Sequence, residues 1–157
     1  MIELHLLRHA RAGNPEGWDG PDATRPLTDE GRRQAERLAE LLRGAGLEAD
    51  AILSSPKVRA LQTAELVAAA LGVDVRLDDR LASGTGFPTV NAILTEAGSP
   101  RRPILVGHDP DLSTLLSLLV DADLQLRMGS MARIDVEELR PGGGTLRWLL
   151  APEILPG

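Results

Sequence analysis

The chain contains no cysteine. Disulfide frameworks, thiolate metal sites and cysteine nucleophiles are therefore excluded. It also has no apolar run of membrane-spanning length, and residues 1–5 lack the basic region and cleavage-site pattern of a secretory signal. These absences predict a cytoplasmic protein that does not associate with a membrane.

Positive charge is also scarce, since 17 Lys and Arg stand against 23 Asp and Glu and give a formal net charge of -6. A protein that follows a nucleic-acid backbone normally carries a cationic stripe, so we expect no nucleic-acid partner. Any anion site must be a local pocket. The length of 157 residues and the hydrophobic fraction of 43% are typical of one globular domain, predicted here over residues 1–157.

Short apolar runs alternate with helical patterns, which is typical of a parallel sheet covered by helices. The runs are Ile2 to Leu7, Ala51 to Ser54, Val73 to Leu77, Ile104 to Val106, Met131 to Val136 and Leu146 to Leu150. A glycine-rich turn at 142–144 separates the last two, which favours a hairpin at a sheet edge. The predicted fold class is α/β, with three α/β/α layers and a mostly parallel six-stranded sheet.

Four helices are predicted between these runs. They extend from a cap at Thr28 to a stop at Gly44, from about Lys57 to Leu71 with a stop at Gly72, from about Val90 to Ala97, and from Pro110 through Leu119. The two longest irregular stretches, 10–26 and 78–87, directly follow strands. Open α/β sheets place ligand sites there, so we expect these loops to shape a pocket mouth.

Four basic residues lie at strand exits or in the helical turn just beyond them: Arg8, His9, Arg59 and His108. Because the carboxyl ends of parallel strands gather at one edge, these side chains are predicted to converge. Guanidinium groups neutralise phosphoryl oxygens, and a neutral imidazole can attack phosphorus. The set therefore indicates phosphoryl chemistry, in which one histidine is the nucleophile and the other donates to an oxygen.

A single arginine is usually a solvated surface group, and a single histidine is usually a polar residue with its hydrogen bonds satisfied. The hypothesis therefore depends on the occurrence of all four residues at strand exits or in the helical turn just beyond them. His5 is the contrast, because it lies inside the first predicted strand and has no partner at ligand spacing. We interpret His5 as structural. Neither a metal site nor a cofactor is predicted.

With these residues identified, the sequence resembles the histidine phosphatase superfamily, and within it the short bacterial phosphohistidine phosphatases. The resemblance rests on four segments in family order, continuing to Trp148 and Pro152: Leu7-Arg8-His9-Ala10, Asp22 to Thr28, Ser55 to Thr63, and Val106 to Pro110. It implies a phosphoglycerate mutase-like fold. It also implies that His9 becomes phosphorylated and that Arg8, Arg59 and His108 form the phosphate pocket. Arg25 either reaches the substrate or anchors the long loop through a salt bridge, and Asp22 carries less weight.

Two departures from the family pattern matter. Ala10 stands where a glycine usually follows the nucleophile, which costs little if its φ stays negative. Ser83 stands where ester-cleaving members carry a glutamate acid, and general acid help is worth roughly 10²- to 10⁴-fold. A phosphoramidate needs that acid less, because its imidazole leaving group can bring its own proton. Asp78, Asp79 and Asp109 could substitute as acids but are more typical of loops or caps.

The leading hypothesis is a phosphatase for phosphohistidine in proteins, acting through a covalent intermediate on His9 without a cofactor. The small size of the chain leaves no room for a large lid, which suits a bulky protein substrate. The alternatives are a phosphomonoesterase for a small phosphorylated metabolite and a non-catalytic phosphate-binding module.

Overall fold

In the computed structural model, which describes residues 1–155, the predicted apolar runs form the six strands of one sheet. The strands are β1 (Ile2–Arg8), β2 (Ala51–Ser54), β3 (Val75–Leu77), β4 (Pro103–Gly107), β5 (Met131–Val136) and β6 (Gly144–Leu150). Their order across the sheet is β3-β2-β4-β1-β5-β6. The first four strands in this order are parallel, whereas β5 and β6 run antiparallel as an edge hairpin. The predicted fold class is confirmed.

Helices cover both faces of the sheet. They are α1 (Asp29–Gly44), α2 (Val58–Leu71), α3 (Phe87–Glu96) and α4 (Asp111–Val120). Alternate residues of a strand face opposite sides. Leu4 and Leu6 of β1 pack with α3 and α4, whereas Leu7 packs with α1 and α2. The sheet is therefore the middle of three layers, with an apolar core on each side.

The predicted residues cap the start of α1 and the end of α2. The Thr28 hydroxyl accepts a hydrogen bond from the Gly31 N–H at the start of α1, and Gly72 ends α2 with a φ of 71°. The last residue of α1 is Gly44, but the left-handed glycine of this turn is Gly46.

Three boundaries differ from the sequence prediction by two or three residues: the starts of α3, β3 and β6, the last of which begins at Gly144 and not at Leu146. Helix α3 begins three residues earlier, at Phe87, because Pro88 fits the first helical turn, where a missing N–H costs nothing. Strand β3 begins two residues later, at Val75, because the Val73 N–H bonds to the Ala68 carbonyl and belongs to the end of α2. Among residues 1–155, every helix is too short or too polar to cross a membrane.

Gly31 allows a close backbone contact that anchors the loop after β1. A Cβ atom at this position would lie 1.9 Å from the Arg11 carbonyl oxygen, which also accepts the Thr28 N–H at 3.0 Å. We expect Gly31→Ala to lower the free energy of unfolding by about 1–3 kcal/mol, because backbone must shift. Gly44→Ala is the control, because a Cβ atom at this position would have no neighbour within 4 Å. We expect this variant to raise the free energy of unfolding by about 0.5 kcal/mol. Equal transitions in urea for the two variants would contradict this reading of Gly31.

Candidate active site

Three neighbouring strands, β2, β4 and β1, end at the same edge of the sheet. Backbone pairing continues one residue beyond these ends: the His9 N–H donates to the Gly107 carbonyl at 3.1 Å, and the Ser55 N–H donates to the Val106 carbonyl at 3.0 Å. The residues that follow the strands therefore leave the sheet side by side. This is how positions 9, 55 and 108 come together.

A pocket of about 560 Å³ opens at this edge. It brings together all five residues singled out in the sequence: Arg8, His9, Arg25, Arg59 and His108. Both long irregular loops contribute to its walls, through Gly13 and Asn14 on one side and Ser83 and Gly84 on the other. The site is a local cationic pocket in a chain of net negative charge.

His9 is held in one orientation by its own backbone. The residue is 7% exposed, and Nδ1 lies 2.7 Å from the Ala10 carbonyl oxygen. A carbonyl can only accept, so Nδ1 carries the proton of the neutral ring and the lone pair is on Nε2. Nε2 is therefore the atom able to attack an electrophile.

His108 lies beside His9, with ring centroids 5.2 Å apart. Its Nε2 is 2.7 Å from the Oγ of Ser55, a fully buried hydroxyl that also accepts the Lys57 N–H at 3.2 Å. The Nδ1 of His108 is buried and has no hydrogen-bond partner within residues 1–155. Ser55 therefore fixes the plane of this second imidazole.

Asp22 connects the two arginines that enter from helix and loop. Arg59, in the first turn of α2, donates through its two terminal nitrogens to the Asp22 carbonyl at 2.9 Å and carboxylate at 3.0 Å. Arg25 donates through Nε to the same carboxylate at 3.2 Å and through a terminal nitrogen to the Gly13 carbonyl. The hydrogen bond from Arg59 holds the pKa of Asp22 below its usual range.

Arg25 thus anchors the loop through a salt bridge, which is one of the two interpretations that the sequence allowed. It also lines the pocket, as the other interpretation requires of a residue that reaches the substrate.

Arg8 is fixed from the opposite side of the site. A terminal nitrogen donates to the Leu126 carbonyl at 2.9 Å and lies 3.6 Å from the Asp109 carboxylate. Both arginines are pre-positioned by protein acceptors, and guanidinium groups of this kind bind phosphoryl oxygens with little reorganisation.

Both site imidazoles are kept neutral. Burial lowers the pKa of His9 to about 4, with the charges of Arg59 and Arg8 acting in the same direction. Burial likewise lowers the pKa of His108 to about 3, and His9 and Arg59 add to that effect. A neutral His9 has its Nε2 lone pair available at neutral pH, which a nucleophile requires.

These pKa values predict the titration of the free protein. In an NMR titration, we expect the ring signals of His9 and His108 to stay constant from pH 8 to about 5.5. An unfolded histidine titrates near 6.5, so the unfolded chain takes up protons that the folded rings refuse, from about pH 6.5 down to about 4 for His9 and about 3 for His108. Stability should therefore be full above this window and fall as the pH falls through it. His9→Gln assigns the signals, and a ring of either residue titrating near 6.5 would contradict the expectation.

Ala10 fits the position where the family usually has glycine. Its side chain is fully buried, and it is not among the residues with positive φ. Its N–H donates to the Thr63 Oγ at 3.0 Å, and the same hydroxyl donates to the Arg59 carbonyl at 2.8 Å. The condition under which alanine costs little at this position, a negative φ, is therefore met.

Ser83 is an exposed residue and lines the pocket. Two carboxylates also line it, but both accept hydrogen bonds. Asp109 accepts from the Ser113 hydroxyl at 2.6 Å and N–H at 3.1 Å, and Asp111 accepts from the Thr85 N–H at 3.3 Å. Both carboxylates are thus held in place by donors from α4 and from the loop before α3.

The remaining candidates are structural in their contacts. Asp78 accepts hydrogen bonds from the backbone and side chain of Arg80, as expected of a cap. Neither Asp78 nor Asp79 lines the pocket. His5 is 1% exposed and packs its ring 5.7 Å from that of Trp148, so it contributes to the core on the α1 and α2 face.

The chain is similar to known proteins in sequence and in structure. The model of the histidine phosphatase superfamily (branch 1) matches residues 4–83. An uncharacterized protein of Picosynechococcus sp. is 38% identical over 114 residues, which cover 71% of this chain and 68% of the relative. The chain belongs to the histidine phosphatase superfamily.

Two further relatives carry functional names. The probable phosphoglycerate mutase GpmB of Cronobacter sakazakii is 35% identical over 82 residues, which cover 52% of this chain but only 37% of the mutase. A solved structure from Agrobacterium tumefaciens, provisionally assigned as the phosphohistidine phosphatase SixA, superimposes with a TM-score of 0.81 at 25% identity and covers 97% of this chain and 99% of that one. The chain thus spans about a third of the mutase and nearly all of the SixA structure.

Proposed function

We propose that this protein is a phosphatase that removes phosphate from phosphohistidine in proteins. The observation that carries the proposal is the pocket itself, in which a neutral His9 lies between fixed guanidinium groups while both lining carboxylates, Asp109 and Asp111, accept hydrogen bonds. This arrangement supplies a nucleophile and anion binding, and it has Ser83, which carries no acidic proton, at the position where ester-cleaving family members carry a glutamate acid.

In the first step, Nε2 of His9 attacks phosphorus as the bond between phosphorus and the substrate's imidazole nitrogen breaks. The leaving imidazole departs as a neutral ring, because its other nitrogen already carries a proton. In the second step, water attacks the phosphoryl group on His9, which releases inorganic phosphate and regenerates the free ring. Arg8 and Arg59 hold the phosphoryl oxygens throughout, and His108 joins them by turning its Nε2 from the Ser55 hydroxyl towards the phosphoryl group.

Cleavage of an alkyl phosphate ester requires a proton donor in the site. An alkoxide leaves poorly unless it is protonated, and general acid help is worth roughly 10²- to 10⁴-fold. Ser83 cannot supply that proton at neutral pH. The substrate class is therefore proposed from chemistry, supported by the full-length similarity to the SixA structure.

The test is phosphate release from a histidine-phosphorylated protein, an aryl phosphate and an alkyl phosphate, measured side by side. We expect phosphohistidine to be hydrolysed at least about 10²-fold faster than the alkyl ester. Comparable or faster ester cleavage would favour the alternative, a phosphomonoesterase for a small metabolite. Vanadate binding without turnover of any substrate would instead indicate a phosphate-binding module.

A further inference from the structure

A second, smaller pocket opens beside the catalytic one. Its volume is about 230 Å³, and the loop between β1 and α1 forms it. Its walls include Trp18, Pro26 and Leu27, and we call it the Trp18 pocket. It shares Gly13, Asn14 and Arg25 with the catalytic pocket. A chain whose phosphoryl group lies at His9 can therefore extend directly into it.

The indole of Trp18 is exposed yet fixed. The residue is 38% exposed, in a chain with only 2% aromatic residues. Its Nε1–H donates to the Pro21 carbonyl at 3.1 Å and lies 3.3 Å from the Thr24 hydroxyl. A Cβ at Gly20 would lie 3.0 Å from Nε1, so the ring packs directly against that glycine. The polar atom is satisfied within the loop, which leaves the rest of the ring for apolar contact.

The Trp18 pocket is tied to the phosphate pocket through Arg25. This side chain bonds to Gly13 and Asp22, and Asp22 in turn bonds to Arg59. A bridge between Ala12 and Leu27 joins the two ends of the loop. The indole is therefore held in a fixed relation to the phosphoryl site, and such preorganisation reduces the entropy cost of binding.

Size and lining identify the class of occupant. Pockets for small-molecule ligands usually enclose about 300–1,000 Å³, whereas this one suits a single side chain. Exposed, rigid tryptophans are enriched among the residues that dominate binding to proteins. We propose that the Trp18 pocket binds one apolar side chain of the phosphorylated protein, next to its phosphohistidine. The inference rests on the proposed function and names how that substrate is recognised.

The experiment compares two substrates that share the phosphoryl group but differ in size: a histidine-phosphorylated protein and free phosphohistidine. For Trp18→Ala, we expect kcat/KM on the protein to fall about tenfold, through a higher KM. On free phosphohistidine, the same variant should match the wild type. Trp18→Phe keeps a ring but loses the N–H, and should retain most of the activity on the protein.

Leu149→Ala is the matched control. Leu149 is 37% exposed and lies on the edge strand β6, outside both pockets. It should leave both substrates unaffected. Unchanged kinetics of Trp18→Ala on the protein, or equal losses on both substrates, would overturn the inference while leaving the proposed function in place. If the wild type hydrolysed neither phosphohistidine substrate, the proposed function would be wrong. The proposal that the Trp18 pocket binds a side chain of that substrate would then be wrong as well.

Discussion

Replacing His9 with alanine is expected to lower kcat by about 10⁴- to 10⁶-fold, the range seen when a covalent nucleophile is removed. The imidazole is buried, neutral and oriented by the Ala10 carbonyl, so nothing else in the pocket presents an equivalent lone pair to phosphorus. His108 cannot replace it readily, because the Nε2 of that ring is bonded to Ser55. The measurement is phosphate release in a single turnover from a histidine-phosphorylated protein.

The arginines remain in this variant, so vanadate binding should persist within a few-fold of the wild type. Trapping provides a second readout: the wild type should acquire an acid-labile, alkali-stable phosphoryl group during turnover, and His9→Ala should not. An unchanged circular dichroism spectrum shows that the fold is intact. Turnover within tenfold of the wild type would rule out His9 as the nucleophile.

Replacing Arg59 with lysine is expected to lower kcat/KM by about 10²- to 10³-fold, comparable to removing one preorganised donor from a transition-state site. The planar guanidinium can bind Asp22 through two nitrogens and still offer hydrogens to a phosphoryl group, whereas an ammonium offers a single point of attachment. Charge alone should therefore not restore the activity. Steady-state kinetics on the phosphorylated protein measure the effect.

Arg11→Lys is the control for this substitution. Arg11 lies in the loop between β1 and α1, which also carries Asp22, but its side chain is 55% exposed and pairs with Glu30 at 3.2 Å. Its conversion should change kcat/KM by less than about twofold, because exposed ion pairs are worth little. If Arg59→Lys behaved like this control, Arg59 would be a structural link to Asp22 and not a phosphate ligand.

The placement of Arg8, His9 and His108 could be predicted because it depends on topology. Each follows an apolar run, and parallel strands bring such exits to one edge. Arg59 follows from the same rule, since its helix starts just after β2. The pattern of the runs also fixes the sheet, because buried strands read as continuous apolar segments.

The supporting contacts could not be predicted in the same way. Asp22 reaches Arg59 across 37 positions of sequence through an irregular loop, whose path has no periodicity to read. Leu126 and Met128 enter the site from the segment between α4 and β5, which carries no motif. Ser55 and Thr63 lie within the segment that carries the family resemblance, but a buried hydroxyl close to a helix resembles any satisfied polar group until its partners are seen.

Through its hydroxyl, Thr63 links two of the elements that form the pocket. Its buried hydroxyl accepts from the backbone that follows His9 and donates to the backbone of Arg59, so one oxygen joins the end of β1 to the first turn of α2. The backbone at His9 and the backbone at Arg59 are therefore held together for as long as α2 packs on the sheet. Loss of the contact between α2 and the sheet would therefore separate the pocket residues on β1 from Arg59, even where the rest of the sheet stays folded.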